Sequence, residues 1–255
     1  MPEEMPLSGG FVNDVVRVGE TVRRSAGPWT PAVHELLSHL QSAGFKESPR
    51  PLGIDDRGRE VLSFIPGDTI GWTDWPKVLR QPEGAHILGS LLRKYHTAAR
   101  TFEPGPDLHW RNPLAPRSGE IIRHGDFSPF NTVWVQDSPV GVIDWDFAQP
   151  GTAIDDLAYL AWQLVPLQPD ERGRQYGLAE GFNRADRLDA LCQGYGGDLT
   201  PGEVIAGAVR VIETEMAHTR ALAASGIHPW THFAKDGAVA AFAGEAQWIR
   251  QTYRI

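Results

Sequence analysis

The stretch 124–146 constrains the fold more than any other part of the chain. It begins His-Gly-Asp-Phe-Ser-Pro-Phe-Asn and ends Ile-Asp-Trp-Asp. Pro129 keeps the first half from forming a regular helix, because proline lacks the amide hydrogen that a helix interior needs. The runs 132–135 and 140–143 are rich in β-branched residues and flank the polar turn 137–139, so they predict a β-hairpin.

Three oxygen-bearing side chains come together if this hairpin forms. Asn131 opens one arm and Asp144 closes the other, so we expect the two to lie side by side. An amide oxygen and carboxylates, without a thiol, suit Mg²⁺ rather than Zn²⁺. Asp126 is left over as a carboxylate that can accept a proton from a hydroxyl nucleophile. We assign His124 to ordering the loop through hydrogen bonds rather than to proton transfer.

These residue types, in this order, are typical of phosphoryl transfer. Protein kinases have a catalytic Asp, an Asn after four intervening residues, and a separate Asp that binds Mg²⁺. Asp126 and Asn131 have that spacing, and Asp144 follows them. Two departures are visible: Gly125 stands where the protein-kinase loop has Arg, and the second motif reads Asp-Trp-Asp instead of Asp-Phe-Gly.

Charge and cysteine content exclude other classes of function. The 255 residues carry 24 Lys and Arg against 32 Asp and Glu, a net charge of −8, which disfavours a nucleic-acid partner. Cys192 is the only cysteine, so an intrachain disulfide and a cysteine-based metal site are ruled out. No apolar stretch approaches the ~20 residues of a membrane helix, and residues 1–4 do not resemble a signal peptide. We therefore expect a cytoplasmic protein without a membrane partner.

The order of the predicted elements indicates an α+β chain of two lobes. Residues 1–66 contain short β-branched runs around one amphipathic helix, which begins at Thr30-Pro31 and stops at Gly44. Pro66-Gly67 then interrupts the pattern, and residues 67–255 are mainly helical apart from the hairpin. We expect a small β-rich N-terminal lobe, 1–66, that binds nucleotide and a larger helical lobe, 67–255, that holds the catalytic residues and the acceptor.

The sequence resembles the aminoglycoside phosphotransferase-like family, small-molecule kinases that share the protein-kinase fold. The family's catalytic loop is His-Gly-Asp with a downstream Asn, and its metal motif is Ile-Asp-(Trp/Phe)-(Asp/Glu). Residues 124–131 and 143–146 match these two motifs. The resemblance continues through Pro150-Gly151, residues 155–158 and residues 88–96.

This resemblance implies the protein-kinase-like fold and the transfer of the γ-phosphoryl group of ATP or GTP to a hydroxyl of a small molecule. It makes Asp126 the catalytic base and gives Asn131 a part in catalysis. It makes Asn131 and Asp144 the ligands of Mg²⁺, with Asp146 supporting the metal site from outside the set of ligands.

The resemblance also implies that the nucleotide lies between the lobes. The adenine would lie against the hinge, at Ser63, Phe64 and Ile65. Gly9 and Gly10 could form the loop that covers the phosphates, because their amides lack side-chain obstruction. An ordinary turn is the alternative interpretation of these two glycines.

The cation that should hold the phosphates is atypical. The strand expected to carry a Lys reads Thr-Val-Arg-Arg, so Arg23 is the predicted phosphate-binding residue and Arg24 the alternative. Arginine keeps the charge and can grip phosphate bidentately, but it is not equivalent to lysine. On the helix that should supply a Glu partner, Glu35 falls on the solvent face and Val33 takes the expected position.

Two other functions stay open at this stage. The missing Lys–Glu pair favours a catalytically weak or inactive pseudokinase that binds nucleotide. The same carboxylates could also serve a Mg²⁺-dependent phosphohydrolase that works without nucleotide, although the catalytic-loop spacing argues against it. The choice between ATP and GTP, the acceptor and the oligomeric state are left open.

Overall fold

The computed structural model describes residues 3–7, 15–116 and 118–255. Gly9 and Gly10, predicted to cover the phosphates, lie outside the described residues. The described chain divides into two compact units: the first falls within Met1–Gly71 and Arg93–Ala153, the second within Trp72–Leu92 and Ile154–Ile255. The predicted lobe boundary after residue 66 stays a prediction.

All strands formed by the described residues belong to the first unit. They are β1 (Met5–Pro6), β2 (Val16–Val18), β3 (Thr21–Ser25), β4 (Pro51–Ile54), β5 (Arg59–Ser63), β6 (Asp68–Thr69), β7 (Ile121–Arg123), β8 (Thr132–Val135), β9 (Ser138–Val142) and β10 (Gln149–Gly151). One antiparallel sheet has the order β1-β2-β3-β5-β4, a second has the order β6-β8-β9, and β7 pairs with β10.

The second unit is helical. The helices of the chain are α1 (Thr30–Ser42), α2 (Pro82–Ala99), α3 (Ala153–Leu164), α4 (Asp170–Gln175), α5 (Arg184–Tyr195), α6 (Pro201–Ala224), α7 (Trp230–Lys235) and α8 (Ala238–Tyr253). α1 lies in the first unit, α4 to α8 lie in the second, and α2 and α3 have residues in both. None of the described helices is both long and apolar enough to cross a membrane. The predicted α+β class is confirmed.

Helix α1 forms where the sequence predicts it, with a small difference at its start. Thr30 is the first helical residue rather than the cap, and its hydroxyl accepts the Gly27 amide at 2.9 Å. The predicted apolar stripe is the buried face of the helix: Val33, Leu36, Leu37 and Leu40. Burying each of these side chains stabilises the fold by about 1.5–3 kcal/mol, which explains why this segment is a helix in the folded chain.

The predicted hairpin is confirmed as β8 and β9, in which Thr132 lies opposite Val142. Two aromatic side chains support it from behind. The Tyr95 hydroxyl donates to the Ile122 carbonyl of β7 at 2.5 Å, and the Trp145 indole donates to the Val142 carbonyl at 2.9 Å. The two rings meet edge to face at 5.0 Å. This packing holds the ends of β7, β8 and β9 in the first unit, where the candidate site lies.

Candidate active site

Two loops approach each other most closely at Gly125. One loop joins β7 to β8 and the other joins β9 to β10. Gly125 has a φ of +83°, and a Cβ atom there would lie 2.1 Å from the Phe147 carbonyl oxygen. No side chain fits that space without a backbone shift, so this crossing requires glycine. The crossing explains why the Arg of the protein-kinase loop is replaced here.

The His124 ring ties the same two loops together. Its Nδ1 accepts the Asp126 amide at 3.3 Å, and its Nε2 lies 3.1 Å from the Ile143 carbonyl oxygen. Since an amide N–H only donates and a carbonyl only accepts, we assign the neutral tautomer with hydrogen on Nε2. The ring is fully buried. This arrangement supports the loop-ordering role predicted for His124.

Asp126 and Asn131 are in direct contact. The Asn131 Nδ2 donates to the Asp126 carboxylate at 2.8 Å and to the Asp126 carbonyl at 2.9 Å. The Asn131 carbonyl accepts the Ile143 amide at 2.9 Å, which brings Asp144, the next residue, beside it. Asp126 and Asn131 are both partly exposed. The structure therefore brings together the three residues predicted for catalysis and metal binding.

Asp144 is held in an unusual backbone conformation, with φ 61° and ψ 63°. Such left-handed geometry is uncommon outside glycine and costs about 1–3 kcal/mol, so the surroundings must impose it. The hydrogen bonds of Ile143 and Trp145 hold it from both sides. The result is an exposed carboxylate, 46% accessible, whose Oδ1 accepts from Arg24 at 3.1 Å.

Asp146 is buried behind this carboxylate, between two guanidinium groups. Arg24 and Arg111 each donate to one of its oxygens at 2.6 Å. Arg111 also lies over the rings of Trp29, at 4.5 Å, and Phe147, at 5.1 Å. Burial raises the pKa of Asp146, and the charge of Arg24 opposes that rise. Asp146 thus braces the loop from inside, which agrees with a supporting rather than a ligating position.

Arg24 is surrounded by carboxylates on all of its nitrogens. Its Nε donates to Glu60, while the two terminal nitrogens donate to Asp144 and Asp146. Burial alone would lower the pKa of Arg24, but the charges of Asp146, Glu60 and Asp144 outweigh burial and raise the pKa above its ordinary value. The guanidinium group is therefore permanently charged at the edge of the site.

Known proteins are similar to this chain in sequence. Residues 107–191 match the model of a family described as "Phosphotransferase enzyme family". The trifolitoxin immunity protein of Rhizobium leguminosarum bv. trifolii is 37% identical over 201 residues, which are 77% of this chain and 75% of that protein. The chain belongs to the phosphotransferase enzyme family.

Solved structures share the fold of this phosphotransferase family member. A choline/ethanolamine kinase family protein from Mesorhizobium loti is similar over 98% of this chain and 92% of its own, with a TM-score of 0.58 and 18% identity. The GDP complex of aminoglycoside 2′-phosphotransferase-IIIa covers 98% and 93%, with a TM-score of 0.62 and 13% identity. At these identities the likeness shows the fold alone, and it confirms the predicted protein-kinase-like fold.

The structure separates the two arginines predicted for phosphate binding in this phosphotransferase family member. Neighbouring residues on a strand point to opposite faces of the sheet. On β3, Arg23 lies 3.5 Å from Asp55 and donates to the Thr21 hydroxyl at 2.7 Å. Arg24 is the one that reaches Asp144. Arg23, the first choice from sequence, is not brought to the other predicted residues, so the geometry favours the alternative.

The predicted adenine-binding residues lie at and after the end of β5. The Ser63 hydroxyl accepts the Arg50 amide at 2.8 Å. The Arg17 guanidinium covers one face of the Phe64 ring, 3.8 Å from its centre. Ser63, Phe64 and Ile65 are all partly exposed. Their part in binding a nucleotide base stays a prediction.

The oxygen donors of the site fit Mg²⁺. Within the described residues, no group of three or more His, Cys, Asp or Glu side chains could hold a metal by itself. Mg²⁺ usually binds through one or two carboxylates of the protein and takes its other ligands from phosphates and water. Asn131 donates through Nδ2 to Asp126, and its backbone carbonyl accepts the amide of Ile143, the residue before the exposed Asp144. Three carboxylates face two guanidinium groups here, an excess of one negative charge.

Three residues of this cluster escaped the sequence analysis. Glu60 lies in β5 directly opposite Arg24, but the sequence placed that strand at 61–65, two residues too late. His34 adjoins the predicted Val33 position, yet an imidazole next to a buried stripe has no distinctive pattern. Arg111 belongs to an irregular loop rich in Pro and Gly. Only Glu60 had a usable signal, a carboxylate directly beside the apolar pair Val61 and Leu62.

Proposed function

We propose that this protein transfers the γ-phosphoryl group of ATP or GTP to a hydroxyl of a small molecule, with Asp126 as the base. Membership of the phosphotransferase enzyme family supports the class of reaction. The observation that carries the residue assignment is the 2.8 Å hydrogen bond from Asn131 Nδ2 to Asp126. The Asn131 backbone carbonyl also accepts the amide of Ile143, the residue before Asp144. A base needs a fixed orientation and access to the acceptor. Asn131 orients the Asp126 carboxylate, and Asp126 is partly exposed.

In the proposed reaction, the acceptor hydroxyl gives its proton to Asp126 as its oxygen bonds to the γ-phosphorus. The bond from that phosphorus to the β–γ bridging oxygen breaks, and a nucleoside diphosphate leaves. Asn131 fixes the plane of the Asp126 carboxylate through its Nδ2. His124 holds the backbone of Asp126 in place by accepting its amide hydrogen bond at Nδ1. Positioning of this kind accounts for most of the catalysis in phosphoryl transfer.

Asn131 and Asp144 are the proposed Mg²⁺ ligands, because the backbone hydrogen bond from Ile143 to Asn131 brings a residue with an amide side chain close to the residue that carries the exposed carboxylate. When bound, the ion neutralises charge on the β- and γ-phosphates. A neighbouring fold was solved as a GDP complex, which supports a nucleotide donor here. ATP and GTP are both candidates, with the adenine or guanine against Ser63, Phe64 and Ile65.

The names of relatives support a small acceptor and a protective role. Neighbours in fold are an aminoglycoside phosphotransferase and a choline/ethanolamine kinase family protein, which supports a small hydroxyl-bearing acceptor. The relative in sequence is named for immunity to trifolitoxin. We infer that phosphorylation of a toxic compound is the chemistry behind such immunity in this chain. The cytoplasmic location expected from the sequence is part of this proposal.

Replacing Asp126 by Ala tests the proposal. We expect phosphoryl transfer from γ-labelled ATP or GTP to fall by about 10²–10⁴-fold, the usual contribution of a general base. Isothermal titration should show nearly unchanged nucleotide affinity, because Asp126 does not hold the phosphates. Asp137→Ala is the matched control, since Asp137 is an exposed carboxylate in the turn of the same hairpin. Equal activity of Asp126→Ala and wild type would remove Asp126 from its role.

A second candidate is a pseudokinase that binds nucleotide and confers immunity without transfer. The observation that favours it is the engagement of Arg24 by three carboxylates, where a kinase has a Lys–Glu pair. A screen of hydroxyl acceptors with γ-labelled ATP and GTP separates the two. Labelled product that depends on Asp126 supports the enzyme. Nucleotide binding without any labelled product or phosphate release supports the pseudokinase.

A further inference from the structure

We infer that Glu60 and His34 are positioning residues, and that they hold Arg24 where it contacts the donor phosphates. The inference rests on the proposed function and extends it to residues outside the catalytic loop. In a kinase, one Glu on a helix orients the cation that binds the phosphates. Here Glu60 of strand β5 and His34 of helix α1 together take that role. The three residues are defined here as the Arg24 brace: Arg24, Glu60 and His34.

The first step is the orientation of Arg24. Residues Arg24 and Glu60 lie directly opposite each other on β3 and β5, so the sheet itself fixes their distance. Glu60 accepts a hydrogen bond from the Nε of the guanidinium, so both terminal nitrogens are left for other partners. Those nitrogens meet Asp144 at 3.1 Å and Asp146 at 2.6 Å. The terminal nitrogens of Arg24 therefore lie beside Asp144, the exposed carboxylate proposed as a metal ligand.

The second step is the orientation of Glu60. Its side chain is only 1% exposed, and both oxygens are used: one accepts from Arg24, and the other lies 3.0 Å from His34 Nε2. Burial would raise the pKa of Glu60, but the hydrogen bonds and charges of His34 and Arg24 outweigh burial and lower it. Glu60 is therefore an ionised acceptor that His34 holds from helix α1.

The third step is why the brace affects phosphate binding and not the fold alone. Of the three carboxylates on Arg24, only Asp144 is exposed, so an incoming Mg²⁺–nucleotide meets Arg24 at that side. Without the hydrogen bond to Glu60 at Nε, the guanidinium can rotate about its remaining hydrogen bonds to Asp144 and Asp146, so its position beside the phosphates is no longer fixed. Without His34, Glu60 has one unused oxygen and can rotate away from Arg24. Both changes weaken the hold on phosphate and leave the base-binding region intact.

The test compares binding of Mg²⁺–ATP with binding of adenosine, which lacks phosphates, on the full-length protein by isothermal titration. We expect Glu60→Gln to weaken Mg²⁺–ATP about tenfold and His34→Ala about threefold, with adenosine affinity unchanged for both. His34→Gln should restore affinity, because a glutamine Nε2 can donate to Glu60. Glu35→Ala is the control, since Glu35 is the exposed neighbour of His34 on α1. Where transfer can be followed, KM for ATP should rise more than kcat falls.

Each outcome decides the matter. Selective loss of Mg²⁺–ATP affinity that His34→Gln restores supports the brace. Unchanged Mg²⁺–ATP affinity in His34→Ala overturns it, as does an equal loss of ATP and adenosine affinity, which would mark a structural role. His34 is partly exposed, so we expect its variants to fold. They therefore test the brace even if Glu60→Gln does not fold. Failure of the wild type to bind ATP or GTP overturns the proposed function as well, whereas binding that all variants retain overturns only the brace.

Discussion

Arg24 and Arg187 are both buried, one in each compact unit, and their partners differ in kind. Arg24 faces three carboxylates, and their charges raise its pKa. Arg187 donates to four backbone carbonyls and faces no carboxylate among its recorded partners, so burial lowers its pKa to about 10. Both arginines stay protonated at neutral pH. Arg24 neutralises part of the charge of a carboxylate cluster, whereas Arg187 donates hydrogen bonds to uncharged carbonyl groups.

The positions of those carbonyls explain the difference. Leu164 is the last residue of α3, and Leu79 lies in the 3₁₀ turn Lys77–Arg80, so Arg187 donates to carbonyls near two helical ends, where the helix itself supplies few partners. Arg24 instead has one exposed partner, Asp144. A buried arginine that faces only carbonyls stabilises the fold. The exposed partner of Arg24 is the reason that we assign Arg24 to the proposed phosphate-binding site.

Replacing Arg187 by Met is the sharpest way to test the structural half of this comparison. Methionine has a similar length but no donor, so the buried carbonyls of Val165, Leu79 and Leu164 lose the Arg187 donor, whereas the Gln81 carbonyl keeps the Gly84 amide. Because each orphaned group costs about 1–3 kcal/mol, we expect the free energy of unfolding to fall by about 3 kcal/mol or more. Urea denaturation measures this. Affinity of the folded variant for Mg²⁺–ATP should not change, and a loss of less than about 1 kcal/mol would contradict the capping role.

Replacing Arg24 by Lys tests the functional half. Lysine keeps the charge but offers one nitrogen, which cannot reach three carboxylates and grip phosphate together. We expect phosphoryl transfer to fall about 100-fold, as when one transition-state donor is removed. The loss of unfolding free energy should be smaller than for Arg187→Met. Arg57→Lys, at an exposed ion pair with Glu4, is the control, and an unchanged transfer rate in Arg24→Lys would refute this half.

A third prediction concerns the crossing of the two loops in the first unit. Gly125→Ala and Gly226→Ala impose a similar backbone strain, since the φ values are +83° and +76°. A Cβ at Gly125 would meet the Phe147 carbonyl, whereas one at Gly226 would meet nothing within 4 Å. We expect Gly125→Ala to lose about 1–2 kcal/mol more unfolding free energy than Gly226→Ala, and to lower transfer as well. Thermal unfolding and the labelled transfer assay measure both, and equal losses would dismiss the clash.

The smallest expected effect is a contrast in pH dependence between two buried carboxylates. The pKa of Glu60 is lowered, because His34 and Arg24 outweigh burial, so its stabilisation is present at neutral pH and is lost as pH falls through that pKa. Burial raises the pKa of Glu245, in spite of bonds from Trp162 and Gln168, so its ionised form costs stability at neutral pH and the cost is relieved in acid.

Glutamine variants measure this contrast. At about pH 7, Glu60→Gln should be less stable than wild type and Glu245→Gln more stable, and both differences should shrink below about pH 4.5. Urea denaturation across that range gives the two curves. Differences of the same sign at neutral pH would mean that the two carboxylates do not have the opposite environments described above.

The candidate catalytic loop and its hairpin could be predicted from sequence, and the contacts of Arg24 with Glu60 and His34 could not. Asp126, Asn131 and Asp144 lie within 19 residues. One loop and one tight hairpin join them, and such short connections leave few possible geometries. The helix α1 was equally accessible, because an apolar stripe of period 3.6 directly reports which face is buried. Alternation along a strand predicts that Arg23 and Arg24 face opposite ways, but it does not predict which of the two faces the site.

The amino-acid order by itself indicated the α+β class and the candidate residues of the catalytic loop, because these depend on local periodicity and short spacing, and the motifs at 124–131 and 143–146 carry the resemblance to small-molecule kinases. The tertiary structure alone decided which arginine meets Asp144 and which groups hold it. Arg24 lies 36 residues from Glu60 and 120 from Asp144. Contacts over such separations depend on strand register and on the packing of whole elements, and neither is written in any local pattern.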